Sequence, residues 1–222
     1  MSLKAAFANT GLFRKIIFTV VFSFSLFALC LLLWYIGVYL IYQPNGLEEL
    51  MWIIETGNRS LLKSLQIIQS FGFFIIPPFV LAYLWSTNTI SYLQLNKFFP
   101  TNTLVYTIIA MIVVIPFINI LSELNQNMAF PSFLKDVETW MKINEDKASG
   151  VIETFLNVSS WSGLVFNLFL MGVLPAIGEE LFFRGVLQRI ISEKWGKHWG
   201  VWITAFIFSA IHFQFFGFLP RF

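Results

Sequence analysis

The pattern of apolar and polar positions along the chain predicts a series of long membrane-crossing helices. Apolar runs extend from Ile16 to about Tyr42, from about Leu61 to Trp85, and from about Thr103 to Leu121. Each run approaches or exceeds the roughly 20 residues that a helix needs to cross the hydrocarbon core of a bilayer. Pro77 and Pro78 should kink or split the second helix, and Pro116 lies near the end of the third. Residues 1–121 are therefore predicted to form three helices.

The apolar pattern is interrupted between Ser122 and Trp161, where acids, lysines and amides alternate with apolar residues. The spacing of Phe133, Val137, Trp140 and Met141 gives one apolar face of a helix. We expect residues 122–160 to be an extramembrane or interfacial segment that contains an amphipathic helix. A break at Ser149-Gly150 should precede the next helix.

Residues 161–222 predict two further helices. The fourth runs from about Trp161 towards Ile191, and after a polar turn from Ser192 to His198 the fifth runs from about Trp199 to Phe216. The predicted fold is all-α, a polytopic transmembrane helix bundle with about five spans plus the interfacial helix. We expect residues 1–222 to be a single integral membrane domain.

The composition agrees with this fold class. The chain is 57% hydrophobic and 12% charged, with 27 Phe, 8 Trp and a mean hydropathy of +0.74, values typical of an integral membrane protein. A formal charge of +2 is too small to indicate a nucleic-acid partner. Cys30 is the single cysteine of the sequence, which excludes an internal disulfide framework and a thiolate metal cluster.

The distribution of charges predicts the orientation, because Lys and Arg accumulate in cytoplasmic segments. The basic positions expected inside are Lys4, Arg14, Lys15, Lys97, Arg189, Lys194 and Lys197. The acidic connections expected outside are those around Glu48, Glu49 and Glu55 and the segment from Glu123 to Glu153. We therefore expect a cytoplasmic N-terminus, and the character of the chain suggests a bacterial inner (cell) membrane.

Two adjacent carboxylates and a guanidinium lie within one of the most apolar parts of the chain, at Glu179, Glu180 and Arg184. Ionisable groups in a membrane segment are costly, so they usually pair, face a cavity and mark function. Glu180 and Arg184 are four residues apart and should form an ion pair on one helix face. Glu179 points about 100° away from that face. The alternative is that the three side chains form a buried polar cluster that only fixes helix packing.

His212 is the second residue in this region that could take part in catalysis. Glu179 lies about fifteen residues before Lys194 and His212 about fifteen residues after Lys197, so each is roughly 20 Å from the polar turn. Two antiparallel helices would then hold a carboxylate and an imidazole at the same level, as a general base and its partner. His212 could instead be a structural interhelical hydrogen bonder.

Three other polar residues have simpler predictions. Asn167 and Ser209 are expected to be ordinary interhelical hydrogen bonders, because polar side chains often link helices within membranes. His198 lies in the polar turn and should be solvated.

The sequence Glu179-Glu180-x-x-x-Arg184 followed by Phe208-x-x-x-His212 resembles the first two motifs of the CPBP intramembrane proteases. This family contains type II CAAX prenyl endopeptidases and bacteriocin-processing or immunity-associated (Abi-type) homologues. The resemblance covers residues 164–216. It implies a glutamate-dependent intramembrane endopeptidase without a metal or other cofactor. Its partners would be membrane lipid and a peptide or protein substrate that arrives from the membrane or the cytoplasmic side.

The resemblance also implies a role for each matched residue. Glu179 would activate water together with His212, Arg184 would hold Glu180 and the helix, and Phe208 would line the site. The family's later motif, a His followed four residues on by Asn or a similar residue, has no counterpart in this chain. We therefore expect the sequence to be a shortened form of a longer protein. Loss of an oxyanion donor typically lowers the rate a hundredfold or more, so the 222-residue form is expected to be a poor enzyme.

Two other functions fit the same residues. The chain could be a non-catalytic membrane adaptor, immunity or transporter-like protein whose carboxylates face a water pathway or a partner. It could also be a metal-dependent membrane hydrolase with Glu179, Glu180 and His212 as ligands, although the single plausible His makes this a weak zinc site, since catalytic zinc usually takes three protein ligands.

Overall fold

The computed structural model describes residues 3–45, 48, 49, 52, 59–98, 100–128 and 130–222. Regular structure in these residues is helical and no strand occurs among them, as the sequence predicts. Glu55, one of the expected acidic positions, lies outside the described residues. The helices are α1 Leu12–Tyr42, α2 Arg59–Trp85, α3 Thr89–Tyr92, α4 Thr101–Gln126, α5 Lys135–Leu156, α6 Trp161–Trp195, α7 Lys197–Ala210 and α8 Phe218–Arg221.

Four of these helices, α1, α2, α4 and α6, are long and apolar enough to cross a membrane. This confirms the predicted fold class and an integral membrane protein, with four candidate spans in the described residues where the sequence suggested about five. The apolar window of α4 has none of its residues buried inside the protein. Lipid is the environment in which such a surface is stable.

The predicted fifth span is wrong at its C-terminal end. α7 contains 14 residues and ends at Ala210, not at Phe216. Phe213 has a φ of 52°, in the left-handed region that non-glycine residues rarely adopt, so the helix cannot continue through it towards Phe216. The Ser209 hydroxyl donates to the carbonyl of Phe218 at 2.7 Å, which confirms Ser209 as a link between helices.

The two prolines of α2 neither end nor split the helix. The segment Ser70–Ile75, just before Pro77, is π-helical, and the Ile76 N–H bonds to the carbonyl of Phe71. A π-helical turn contains one more residue than an α-helical turn. This wider turn lets the helix continue into the two prolines, which have no backbone N–H to donate. In the same segment a Cβ on Gly72 would lie 3.2 Å from the Cys30 Cβ, so small residues allow α1 and α2 to approach closely.

The predicted amphipathic helix is present as α5, but the expected break at Ser149-Gly150 is wrong. α5 continues through both residues to Leu156. A glycine inside a helix costs only about 1 kcal/mol, and the buried side chain of Phe155 anchors the last turn. Trp140 is 51% exposed, as expected for an interfacial face.

The described residues divide into two compact units. The first consists of Met1–Leu95 and Thr154–Gly200, and the second of Asn96–Glu153 and Val201–Phe222. A buried cluster in the first unit joins the end of α2, α3 and the second half of α6. Its members are Leu81, Ala82, Trp85, Tyr92, Leu93, Leu181, Val186 and Ile190.

A second contact in the first unit links α5 and α6. Asn167 is fully buried and its Nδ2 donates to the carbonyl of Phe155, which confirms Asn167 as an interhelical hydrogen bonder.

In the second unit, Asn125 fixes the C-terminal helix to α4. Asn125 is fully buried and its Oδ1 accepts the backbone N–H of Leu219 at 2.8 Å.

We expect Asn125→Leu to lower the free energy of unfolding by about 1–3 kcal/mol, because the Leu219 N–H loses its partner. Thermal unfolding and hydrogen exchange of residues 218–222 measure the loss. Asn102→Leu, at an exposed position of the same helix, is the control, and equal stability of the two variants would contradict the assignment.

Candidate active site

The acidic motif lies in a locally widened part of α6. The helix is α-helical over Leu174–Glu179 and π-helical over Glu180–Leu187, so the change of geometry falls between the two glutamates. The Gln188 N–H bonds to the carbonyl of Phe183, five residues earlier. π-Helical turns are rare in proteins, and those that occur are often found at functional sites. The apolar pattern of this segment predicts a regular α-helix and carries no signal of the change.

The predicted ion pair between Glu180 and Arg184 is present. The Arg184 Nε lies 3.5 Å from the Glu180 Oε2. The side chains of Arg184 and Glu180 are 43% and 64% exposed, so the alternative of a buried polar cluster is not observed for these two charges within this chain. Charged groups on a membrane-crossing helix are stable when they face water or other polar groups rather than hydrocarbon. This face of α6 therefore requires a polar environment.

Glu179 is half-buried and belongs to the first unit. The residue before it, Gly178, is buried against α2, and a Cβ there would lie 2.8 Å from the Phe74 Cβ. Phe182 and Phe183 follow on the other side and pack against Phe74, with ring centroids 5.8 and 6.2 Å away. The backbone that carries Glu179 is thus held on both sides by α2.

His212 lies two residues beyond the end of α7, in a turn and not on a regular helix. Its Nδ1 is 2.7 Å from the carbonyl oxygen of Phe208, and the two rings are in edge contact with centroids 5.0 Å apart. A carbonyl oxygen only accepts, so Nδ1 carries the proton and Nε2 is the acceptor of the neutral ring. The structure therefore brings Phe208 and His212 together.

An open cavity of about 400 Å³ lies beside His212 within the second unit. Its lining residues are Trp140, Asn144, Ala148, His212, Phe213 and Gln214. The sequence pattern places Trp140 on an apolar helix face and does not connect α5 with His212. Trp140 and Asn144 are one helical turn apart on α5, and the Asn144 side-chain amide donates to the Trp140 carbonyl at 2.9 Å. No spacing in the sequence signals that they lie near His212.

Arg221 stabilises one wall of this cavity. Its guanidinium donates to the carbonyl oxygen of Gln214 at 3.3 Å and also to the Gln214 side-chain oxygen. Burial lowers the pKa of Arg221, and the carboxylate of Glu145 opposes that shift. The arginine stays charged at neutral pH because its ordinary pKa is so high.

The five predicted site residues thus fall into two groups. Glu179, Glu180 and Arg184 lie on α6 in the first unit, and Phe208 and His212 lie in the second. His198, by contrast, is exposed at the start of α7, as predicted. Within each unit, no group of three or more His, Cys, Asp or Glu side chains in the described residues is arranged to hold a metal ion.

Residues 161–222 match one protein family model, described as type II CAAX prenyl endopeptidase Rce1-like. No curated protein and no solved structure matches the chain. The matched range contains both motifs, including the ion-paired turn of α6 and the segment around His212. Residues 161–222 are therefore similar to the Rce1-like type II CAAX prenyl endopeptidases, which is consistent with the CPBP/CAAX proteases and supports a protease-type enzyme in general.

Proposed function

We propose that the chain is an intramembrane endopeptidase that hydrolyses a peptide bond of a membrane-associated substrate with water activated by Glu179 and His212. The observation that carries this proposal is the family match over residues 161–222, because both motifs lie inside it. The candidate membrane spans support it further, since a carboxylate on a membrane-crossing helix is a functional residue by default.

The proposed chemistry follows from the two side chains. Water attacks the carbonyl carbon of the scissile peptide bond, and its proton passes to the Glu179 carboxylate and then to the leaving amine nitrogen. The Nε2 of His212 accepts a hydrogen bond from water, because Nδ1 donates to the Phe208 carbonyl. The supporting roles belong to Arg184, which holds Glu180, and to Phe208, which packs on the imidazole.

The substrate of this reaction is a peptide or protein that reaches the site from the membrane or the cytoplasmic side. A cytoplasmic N-terminus is part of the proposal. It rests on the basic residues Lys4, Arg14 and Lys15, which precede or begin the first candidate span, α1.

Cleavage of a membrane peptide tests this function against its alternatives. The purified protein is reconstituted in lipid vesicles and given a fluorogenic peptide with a prenylated C-terminal tail, with and without a strong metal chelator. We expect slow cleavage whose rate the chelator leaves unchanged. Loss of activity with the chelator, restored by added zinc, would instead favour a metal-dependent hydrolase. No cleavage of either this peptide or a panel of unprenylated membrane peptides would favour a non-catalytic adaptor.

A further inference from the structure

A second cavity, of about 270 Å³, lies in the first unit where α1 begins and α6 ends. Its lining residues are Thr10, Leu12, Lys15, Ile190, Glu193 and Lys194. Both helices are candidate membrane spans, so their ends mark the depth at which hydrocarbon gives way to lipid headgroups. The cavity is therefore expected near the level of the headgroup phosphates.

The cavity is positively charged. The side chain of Lys15 is only 10% exposed, and its ammonium is 3.4 Å from the Glu193 carboxylate. That carboxylate also pairs with Arg189, whose Nε is 3.6 Å away. Lys194 adds a third cation, with its ammonium 4.7 Å from the centre of the Phe13 ring. The carboxylate of Glu193 pairs with two cations, and Lys194 adds a third positive charge to the cavity lining, so an anion in the cavity would balance the excess charge.

The surroundings of the cavity are fixed and typical of a membrane interface. Arg189 donates to the Tyr92 carbonyl at 2.6 Å and stacks on the Tyr92 ring at 4.0 Å, which holds one end of the charged group in place. Phe13 and Trp195 are in edge contact at 6.4 Å and are 60% and 41% exposed. Exposed tryptophan is enriched where hydrocarbon meets headgroups.

We propose that this cavity binds the phosphate of an anionic membrane phospholipid, held by the ammonium groups of Lys15 and Lys194. Basic pockets between membrane helices at headgroup depth are suited to anionic lipid headgroups. The acyl chains of the lipid would extend along the apolar surfaces of α1 and α6. This site does not depend on the protease function, because it uses none of the residues assigned to cleavage.

Lipid binding to the whole protein tests the proposal. The delipidated chain in detergent is titrated with phosphatidylglycerol, phosphatidylcholine or inorganic phosphate, and native mass spectrometry counts the bound molecules. We expect a single high-affinity phosphatidylglycerol that phosphatidylcholine does not replace. The double variant Lys15→Gln/Lys194→Gln should bind it roughly twenty-five-fold more weakly, at about fivefold for each lysine.

The matched control removes two positive charges from the same end of the unit but outside the cavity. Arg14→Gln/Lys197→Gln changes two exposed residues and should leave the high-affinity phosphatidylglycerol in place. If the double variant of the cavity does not fold, two exposed single changes give the test. Lys194→Gln should weaken binding, and Glu193→Gln should tighten it, because the competing carboxylate is removed.

Three results would overturn the proposal. The first is equal weakening by the control variant, which would indicate a diffuse basic surface. The second is displacement of phosphatidylglycerol by inorganic phosphate at the same concentration, which would indicate a site for free phosphate. The third is unchanged affinity in both exposed single variants.

Discussion

Replacing Glu179 with Gln is expected to lower the rate of peptide cleavage by about a hundred- to ten-thousandfold without unfolding the protein. The amide has nearly the shape of the carboxylate but cannot take a proton from water, so the contribution of a general base is lost. Glu179 is half-buried in a segment fixed by α2, so an isosteric change should leave the packing intact. Initial rates on the fluorogenic peptide measure the effect, and thermal unfolding verifies the fold.

His212→Ala should have an effect of similar size, and the double variant should cost little more than either single change. Residues that activate the same water act as a unit, so their effects do not add. The matched controls are Glu123→Gln and His198→Ala, which change the same residue types at exposed positions. Retention of full cleavage by either Glu179→Gln or His212→Ala would end the proposal.

Gly178→Ala is the second change with a large expected effect. The added Cβ would lie 2.8 Å from the Phe74 Cβ and 3.2 Å from the Ile75 Cγ1, closer than carbon atoms approach without displacement. The atom it meets is a Cβ that cannot rotate away, so α2 and α6 must separate. Overpacking of this kind costs about 1–3 kcal/mol of stability. Because Gly178 precedes Glu179, cleavage should fall as well.

Gly172→Ala provides the matched control on the same helix, since a Cβ at Gly172 would meet nothing within 4 Å. That variant should be as stable as the wild type or more stable by about 0.5–1 kcal/mol, because alanine loses less backbone entropy in a helix. Thermal unfolding in detergent compares the two variants. Equal stability would show that the close contact at Gly178 is not needed to pack α6 against α2.

The residues near Glu179 show which part of the site could be predicted from sequence. The ion pair of Glu180 with Arg184 was predictable because four residues of helix bring the side chains together whatever the rest of the protein does. The π-helical turn from Glu180 to Leu187 was not. Phe182 and Phe183 in that turn pack against α2, so its geometry is coupled to aromatic contacts more than 100 residues away in sequence.

The surroundings of His212 depend even more on long-range contacts. Its cavity is lined by Trp140 and Asn144 of α5, and no spacing in the sequence relates these residues to a histidine about 70 positions later. The end of α7 at Ala210 is equally hidden, since the apolar pattern continues to Phe218. The chain turns back there, and the ring of Phe218 packs on Phe206 with centroids 5.5 Å apart.

By itself, the sequence determined the properties that depend on local composition and helical periodicity. These are the membrane-spanning class, the four candidate spans, the amphipathic helix and the pair formed by Glu180 and Arg184. Tertiary structure alone decided where α7 ends, where α6 widens and which residues surround His212. The physical reason is that those features depend on close packing between segments distant in the sequence, at contacts such as Gly178 on Phe74, which no local pattern records.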